Sequence, residues 1–360
     1  MSLLWYHSPM EDDMKRENFT KKILAWYDEG HRDLPWRHTT DAYRIWISEI
    51  MLQQTRAETV VSYYERFLAR YPSVYDLAES GEEELLKYWE GLGYYSRARS
   101  LHKAAKIIVS QHGGRLPADA AQLRALPGIG EYTAGAIASI AYGIPAAAVD
   151  GNVERVICRY DAVEDTVGTP AVRRMIAEKA QALVPHDRPG AFANAMMEMG
   201  ATMCTPKNPK CLLCPVRESC RGFALGIAQE LPRKPQKKKQ RVENRAVLLV
   251  LCEGRVLVVQ RRERLLGGLY VFPDVLEESD PAALCAYLEA MGIRAAYDEK
   301  LGHARHVFTH LIWEMDVHAL LADGMTDVPD GRWVTREELA ALPLPTAVKA
   351  AREWAMERLK

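Results

Sequence analysis

Cys204-Thr-Pro-Lys-Asn-Pro-Lys-Cys211-Leu-Leu-Cys214-Pro-Val-Arg-Glu-Ser-Cys220 places four thiols within 17 residues, separated by six, two and five residues. Four thiolates that close together can enclose one soft metal centre, so the run reads as a ligand loop before it reads as core. On chemistry alone, a structural zinc ion and an iron–sulfur cluster both satisfy it. The remaining three of the seven cysteines, Cys158, Cys252 and Cys285, are isolated and read as small buried hydrophobes. Disulfides are disfavoured, because Glu11, Asp12 and Asp13 ahead of Lys15 and Arg16 do not form a secretory or transit signal.

Outward from this loop the patterning differs on its two sides. Toward the N-terminus, Tyr43, Trp46, Ile47, Ile50 and Met51 recur at the spacing of one helix face. Leu85, Leu86 and Trp89 predict another helix, ended by Gly91 and Gly93, and the small-residue run from Ala134 to Tyr142 predicts a third. No strand pattern competes, so the first 230 or so residues read as all-α. Toward the C-terminus, residues 231–245 hold seven Lys or Arg and one acid, Glu243, which reads as a solvated linker. Beyond it, Ala246 to Cys252 and Val256 to Gln260 are β-rich runs around Glu253-Gly254, the signature of a hairpin. Ala282 to Met291 reads as helix, His306 to Leu320 as extended chain, and Glu337 to Lys360 as containing helix. The expected organisation is a domain over 1–228, a basic linker over 229–244 and an α+β domain over 245–360.

Bulk properties agree with this division. A chain of 360 residues exceeds what one core usually organises. Its 48% hydrophobic and 26% charged residues are ordinary for a globular protein, and no apolar run approaches the roughly 18 residues of a membrane span. The net charge of -1 does not exclude nucleic acid, since a binding face needs only a local excess of Lys and Arg.

Two further segments carry chemistry. In Leu126-Pro-Gly-Ile-Gly-Glu-Tyr-Thr133, Gly128 and Gly130 permit a tight turn, and the helix start behind them aims free N–H groups at an anion. Val149-Asp-Gly-Asn-Val-Glu-Arg155 follows; by itself Asp150 reads as a turn or cap residue.

The six–two–five cysteine spacing resembles the 4Fe–4S loop of the endonuclease III superfamily of DNA repair glycosylases, and residues 126–133 resemble its helix–hairpin–helix element. The resemblance implies an all-α helix–hairpin–helix glycosylase with one 4Fe–4S cluster held at 204–220 by Cys204, Cys211, Cys214 and Cys220. It also implies that Gly128 and Gly130 meet a DNA phosphate without base readout, and that Asp150 is the family's catalytic aspartate. Glycosylase-lyases of this group carry a nucleophilic lysine two residues after the second hairpin glycine, where this chain has Tyr132. Without an amine no Schiff base can form, so a monofunctional enzyme using water is expected.

Trp46-Ile-Ser-Glu-Ile-Met-Leu-Gln-Gln-Thr-Arg56 resembles the motif of the MutY family of adenine glycosylases. Glu49 falls at the rim of the buried helix face, where burial raises a carboxyl pKa toward that of a general acid. The resemblance implies that Glu49 protonates the departing adenine while ionised Asp150 stabilises the oxocarbenium-like sugar. Tyr132 is expected to position Asp150 by a hydrogen bond, and Asn152 to orient Asp150 or a water. Gly91-Leu-Gly-Tyr-Tyr-Ser-Arg-Ala-Arg99 resembles the family's base-stack wedge. This implies Tyr94 as the wedge, with Gln54 and Thr55 at the vacated position once the adenine flips out. Leu34-Pro-Trp-Arg37 and Met197-Glu-Met199 match family segments, implying Arg37 and Glu198 at the adenine edge.

The C-terminal domain resembles the Nudix-like domain of the same family on Gly267-Gly-Leu-Tyr-Val-Phe-Pro273. In Cys285-Ala-Tyr-Leu-Glu-Ala-Met-Gly-Ile293 only Glu289 remains of a Nudix carboxylate set, so pyrophosphatase activity is not expected. His306-Val-Phe-Thr-His310 resembles the segment that reads 8-oxoguanine opposite the adenine, implying that role for Phe308, Thr309 and His310. Thr309 stands in place of the usual serine, keeping the hydroxyl and adding a methyl. The expected partner is double-stranded DNA with adenine opposite 8-oxoguanine or guanine, bound by a monomer in the bacterial cytoplasm at the nucleoid, away from membranes. A pyrimidine glycosylase-lyase, a nucleotide pyrophosphatase and a non-catalytic DNA-binding protein are the competing readings.

Overall fold

The structure is a computed structural model that describes residues 9–236, 239–263 and 265–359. Lys237 and Lys238 of the expected basic linker lie outside the described residues. The chain forms two compact units. One comprises the residues up to Glu79 together with Ser100–Gln236, and the other comprises Ser80–Arg99 together with the C-terminal residues from 237 onward.

The first unit has helices and loops but no strand among its described residues. Local chemistry sets its helix ends. Asp41 accepts from the Arg44 N–H at 2.8 Å and caps the Ala42–Leu52 helix, satisfying a donor that the first turn leaves free. The Glu131–Tyr142 helix starts at Gly130 without a side-chain cap and stops at Gly143, whose φ of +63° is the left-handed conformation that ends helices. Within it, a Cβ on Gly135 would lie 2.1 Å from the Ala147 carbonyl oxygen, so the small-residue composition lets the 143–150 segment run against the helix. Phe19, Ile23, Val153, Ile157, Phe192 and Met196 form a buried core on which the Gly151–Tyr160 and Pro189–Glu198 helices rest.

The second unit is built on a mixed sheet. Its described strands are β1 (Arg241–Cys252), β2 (Arg255–Gln260), β3 (Tyr270–Val271), β4 (Asp274–Leu276), β5 (Ala295–Val307), β6 (Leu311–Ala322) and β7 (Gly331–Val334). The order is β3-β2-β1-β6-β5, with β4 pairing β1 and β7 pairing β2. β1 and β6 run parallel, whereas β1–β2 and β5–β6 are antiparallel. Glu253 (φ +46°) and Gly254 (φ +73°) make the β1–β2 turn, as two-residue hairpins demand. Leu284 and Leu288 of the Pro281–Ala290 helix join one core cluster of the sheet, and Ala351 and Ala355 of the Lys349–Arg358 helix join another.

Two expectations need correction. The stretch from His306 to Leu320 is not one extended segment; it turns at Phe308–His310, where the Phe308 N–H donates to the Leu311 carbonyl at 2.9 Å. The helix expected to run to Gly91 ends at Tyr88, because the Trp89 indole N–H and the Arg97 guanidinium hold the Gly93 carbonyl in a turn. Among the described residues no helix is long and apolar enough to cross a membrane.

Candidate active site

In the first unit, Glu49, Asp150, Tyr132, Asn152 and Arg37 line one cleft of about 960 Å³. Glu49 lies deeper than the expected rim position, at 2% exposure, because the Ala57–Arg70 and Glu131–Tyr142 helices pack against its helix. Burial pushes its carboxyl up to about 7; a hydrogen bond from Tyr132 opposes this, and the charge of Asp150 adds to it. The Tyr132 hydroxyl donates to Glu49 Oε2 and lies 3.2 Å from Met197 Sδ. The expected bond from Tyr132 to Asp150 is therefore not the one made. The hydroxyl is taken by the more buried carboxyl, whereas Asp150 is served by backbone donors.

Asp150 has its own donors. As the N-cap of the Gly151–Tyr160 helix, its Oδ1 accepts from the Asn152 and Val153 N–H groups at 2.9 and 2.7 Å. Asn152 Nδ2 donates to Oδ2 at 2.8 Å. Burial raises the Asp150 pKa, against these hydrogen bonds and nearby Arg155. Burial thus raises both carboxyls, but three donors and the positive end of the helix oppose the rise at Asp150, so the two carboxyls of one cleft differ in how well the ionised form is supported.

Arg37 and Glu198 pair with each other. Glu198 is buried and accepts from Arg37 Nη2 at 2.7 Å and from Arg32 Nη2 at 2.8 Å. The two guanidiniums hold its carboxyl down at about 2, against its burial. Arg37 lines the cleft, with its Nη1 donating to the Arg32 carbonyl, while Glu198 sits behind that wall. Sequence reasoning missed Arg32, although a second arginine five residues before Arg37 was a usable signal. It also missed Arg155, whose Nη2 donates to Asn152 Oδ1 at 2.8 Å and to the Gly200 carbonyl at 2.7 Å, and whose Nε donates to the Cys204 carbonyl.

Gln54 and Thr55 lie on the lip of the same cleft, Gln54 with a left-handed φ of +60°. Gly128 has φ +80°, and a Cβ there would fall 2.8 Å from Ser100 Cβ, so the hairpin needs glycine on both counts. Tyr94 belongs to the second unit, on a turn with φ +48°, 46% exposed. Its hydroxyl is 3.0 Å from Thr309 Oγ1. Tyr94, Phe308, Thr309 and His310 line a second pocket, of about 420 Å³.

Cys204 and Cys211 are close enough to Cys214 and Cys220 to raise the pKa values of both. Burial pushes the Cys214 thiol up to about 11 and raises Cys211 and Cys220, so an electropositive centre is needed to hold them as thiolates. Arg159 Nη1 donates to Cys204 Sγ at 3.4 Å, a contact suited to a ligating sulfur. Among the described residues, no three His, Cys, Asp or Glu side chains are gathered as a single ion requires. The donor set is all sulfur, which suits an iron–sulfur cluster.

Comparisons with known proteins agree. A family model described as HhH-GPD superfamily base excision DNA repair protein matches residues 47–183, the iron–sulfur binding domain of endonuclease III matches 204–220, and a NUDIX domain matches 246–354. The adenine DNA glycosylase of Homo sapiens is 36% identical over 397 residues, spanning 92% of this chain and 72% of that protein. That of Buchnera aphidicola subsp. Baizongia pistaciae is 31% identical over 296 residues, spanning 81% and 83%. A thermostable thymine-DNA glycosylase structure superposes with TM-score 0.54 at 32% identity, over 59% of this chain and 99% of that one. An endonuclease III structure from a non-covalent DNA complex gives 0.51 at 23% identity, over 60% and 98%, and bears on the fold alone. The 204–220 loop is an iron–sulfur binding domain that takes a 4Fe–4S cluster, and Cys204, Cys211, Cys214 and Cys220 are the thiols that would hold it. With a helical glycosylase unit, this cluster loop and a Nudix-like unit in one chain, the protein belongs to the adenine DNA glycosylase family of base excision repair.

Proposed function

We propose that this enzyme hydrolyses the N-glycosidic bond of adenine paired with 8-oxoguanine or guanine in duplex DNA, without cleaving the strand. The observation that carries the proposal is the Glu49–Asp150 pair: one carboxyl pushed up to about 7 by burial, the other held by three hydrogen-bond donors, in one cleft. Glu49, protonated, donates its proton to the imidazole-ring nitrogen of adenine. The base leaves with the electron pair of the C1′–N9 bond, and the sugar becomes oxocarbenium-like. Ionised Asp150 stabilises that cation, and water adds at C1′ with loss of a proton. Asn152 and the Val153 N–H hold the Asp150 carboxylate in place, while Tyr132 holds Glu49.

Tyr132 offers no amine for a Schiff base, which supports a monofunctional reaction. Arg37, backed by Glu198 and Arg32, faces the adenine from the cleft wall. Tyr94 wedges into the stack, Gln54 and Thr55 occupy the vacated position, and the Gly128–Gly130 turn receives a phosphate. Phe308, Thr309 and His310 read the partner base. The domain limits 1–228, 229–244 and 245–360, a monomeric state and a place in the bacterial cytoplasm at the nucleoid complete the reading. Incubation with a duplex carrying adenine opposite 8-oxoguanine, followed by alkali, gives a break at the adenine. No alkali-dependent break overturns the proposal, and a break without alkali overturns its monofunctional part.

A further inference from the structure

Behind the Phe308–His310 turn lies a buried aromatic and ionic cluster to which no role has yet been given. Trp313, two residues into β6 and 2% exposed, stands opposite Glu243 of β1 in the sheet register. Its indole N–H donates to Glu243 Oε2 at 3.0 Å. The Arg245 and Arg261 guanidiniums lie over its ring at 4.5 and 5.3 Å from the centroid. Glu243 binds Arg245 at 2.7 Å, and Asp274 binds both Arg245 and Arg261. Two acids thus balance the two arginines, all four side chains being at most 16% exposed. Such a network keeps its geometry only while every member stays paired.

On the side of the turn, Trp313 meets Phe308 edge-to-face, with centroids 4.9 Å apart at 71°. Phe308 in turn meets His306 at 4.5 Å and 71°. The turn's backbone is tied to the start of the same strand as Glu243: Gln240 Nε2 donates to the Phe308 carbonyl at 2.6 Å, and the Arg241 N–H donates to that of His310. A turn exposed at Thr309 and His310 therefore has an internal mount, made of a fixed indole against Phe308 and the start of β1 against the backbone.

We infer that Trp313, held by Glu243, Arg245 and Arg261, is a positioning residue that sets the pose of Phe308 and Thr309 and thereby the preference for 8-oxoguanine over guanine opposite the adenine. The inference rests on the proposed reading role of the turn. Desolvated edge-to-face and cation–π contacts are directional, so their loss changes the pose of Phe308 as well as overall stability.

The test uses the full-length, cluster-loaded protein and duplexes with a fluorinated, uncleavable adenosine opposite 8-oxoguanine or guanine. The readout is the ratio of the two Kd values, with Tm measured for each variant. Trp313→Leu lowers the preference about fivefold, the scale of one lost edge-to-face contact, and Arg261→Met lowers it by about half that factor. Trp313→Phe, which keeps an aromatic edge without the N–H, recovers most of the preference. Phe308→Ala tests the reading itself. If it lowers the ratio while Trp313→Leu and Arg261→Met leave it unchanged, the turn reads the base and the positioning inference is wrong. If Phe308→Ala has no effect, the reading falls and the inference with it. Loss of both affinities in step marks a merely structural role and also overturns the inference. Should Trp313→Leu fail to fold, an unchanged ratio in Arg261→Met while Phe308→Ala lowers it is decisive against the inference.

Discussion

The Ala42–Leu52 helix and the Phe308–His310 turn represent two ways of presenting a functional side chain. Glu49 sits in a rigid helix, buried and bound to Tyr132, and its environment alters its chemistry. Thr309 and His310 sit exposed on a hairpin turn, where water is close. Burial makes an acid out of a glutamate. Exposure leaves a threonine as an ordinary hydroxyl whose value lies only in where it points. Changes at the first site should therefore act on the rate of bond breaking, and changes at the second on discrimination between partner bases.

Variants can break that contrast. Glu49→Gln removes the proton donor and lowers kcat of adenine excision by about 10³-fold, within the usual range for a general acid. Single-turnover kinetics with saturating enzyme measure it, and a loss confined to KM contradicts the assignment. Asp150→Asn keeps the Asn152 and Val153 contacts to one oxygen but removes the charge, so the expected loss in the same assay is about 10²-fold. If Asp150→Asn excises adenine at the wild-type rate, the cation is stabilised elsewhere.

Tyr132→Phe sharpens the contrast further, since it alters Glu49 without touching its carboxyl. The Tyr132 bond lowers the Glu49 pKa, so removing it moves the pKa up and carries the alkaline limb of the rate profile to higher pH. Loss of a charge-assisted bond corresponds to about tenfold in rate on the acidic side of that limb. An unshifted limb means that the bond has no bearing on the acid. The smallest effect belongs to the exposed turn. Thr309→Ala removes the hydroxyl that meets Tyr94 and lowers the Kd preference for the 8-oxoguanine duplex by about threefold, the scale of one neutral hydrogen bond.

Legibility in sequence follows the same division. The hairpin turn is a local constraint that the structure meets at one of its two glycines: Gly128 is required by its φ and by Ser100, whereas Gly130 has φ −88° and open space beside it. Asp150 as a turn or cap residue was legible for the same reason, because its donors lie two and three residues ahead, whereas its pairing with Glu49 as catalytic acids came from the family resemblance alone. Long-range pairing was not legible. Tyr132 had two carboxyls within reach of a guess, and only packing decides for Glu49. β5, with Asp298, Glu299, Lys300 and His303, reads as polar chain; it becomes a strand through its ladder with β6. Ser80–Arg99 lies within the residues of the glycosylase family match, yet groups with the C-terminal unit. Lys87 donates to the Ala340 and Leu342 carbonyls and Arg352 pairs with Glu90, contacts separated by more than 250 residues that no local pattern announces.

The central claim is that Glu49 works as a protonated acid because burial holds its pKa near neutrality. The pH dependence of single-turnover excision from an adenine–8-oxoguanine duplex tests it most directly, scanned from about pH 5 to about pH 9. The acid must be protonated to act, so the rate should fall as pH rises through about 7, and Tyr132→Phe should carry that midpoint upward. A wild-type rate that stays flat or rises across the alkaline half of the range would contradict the claim.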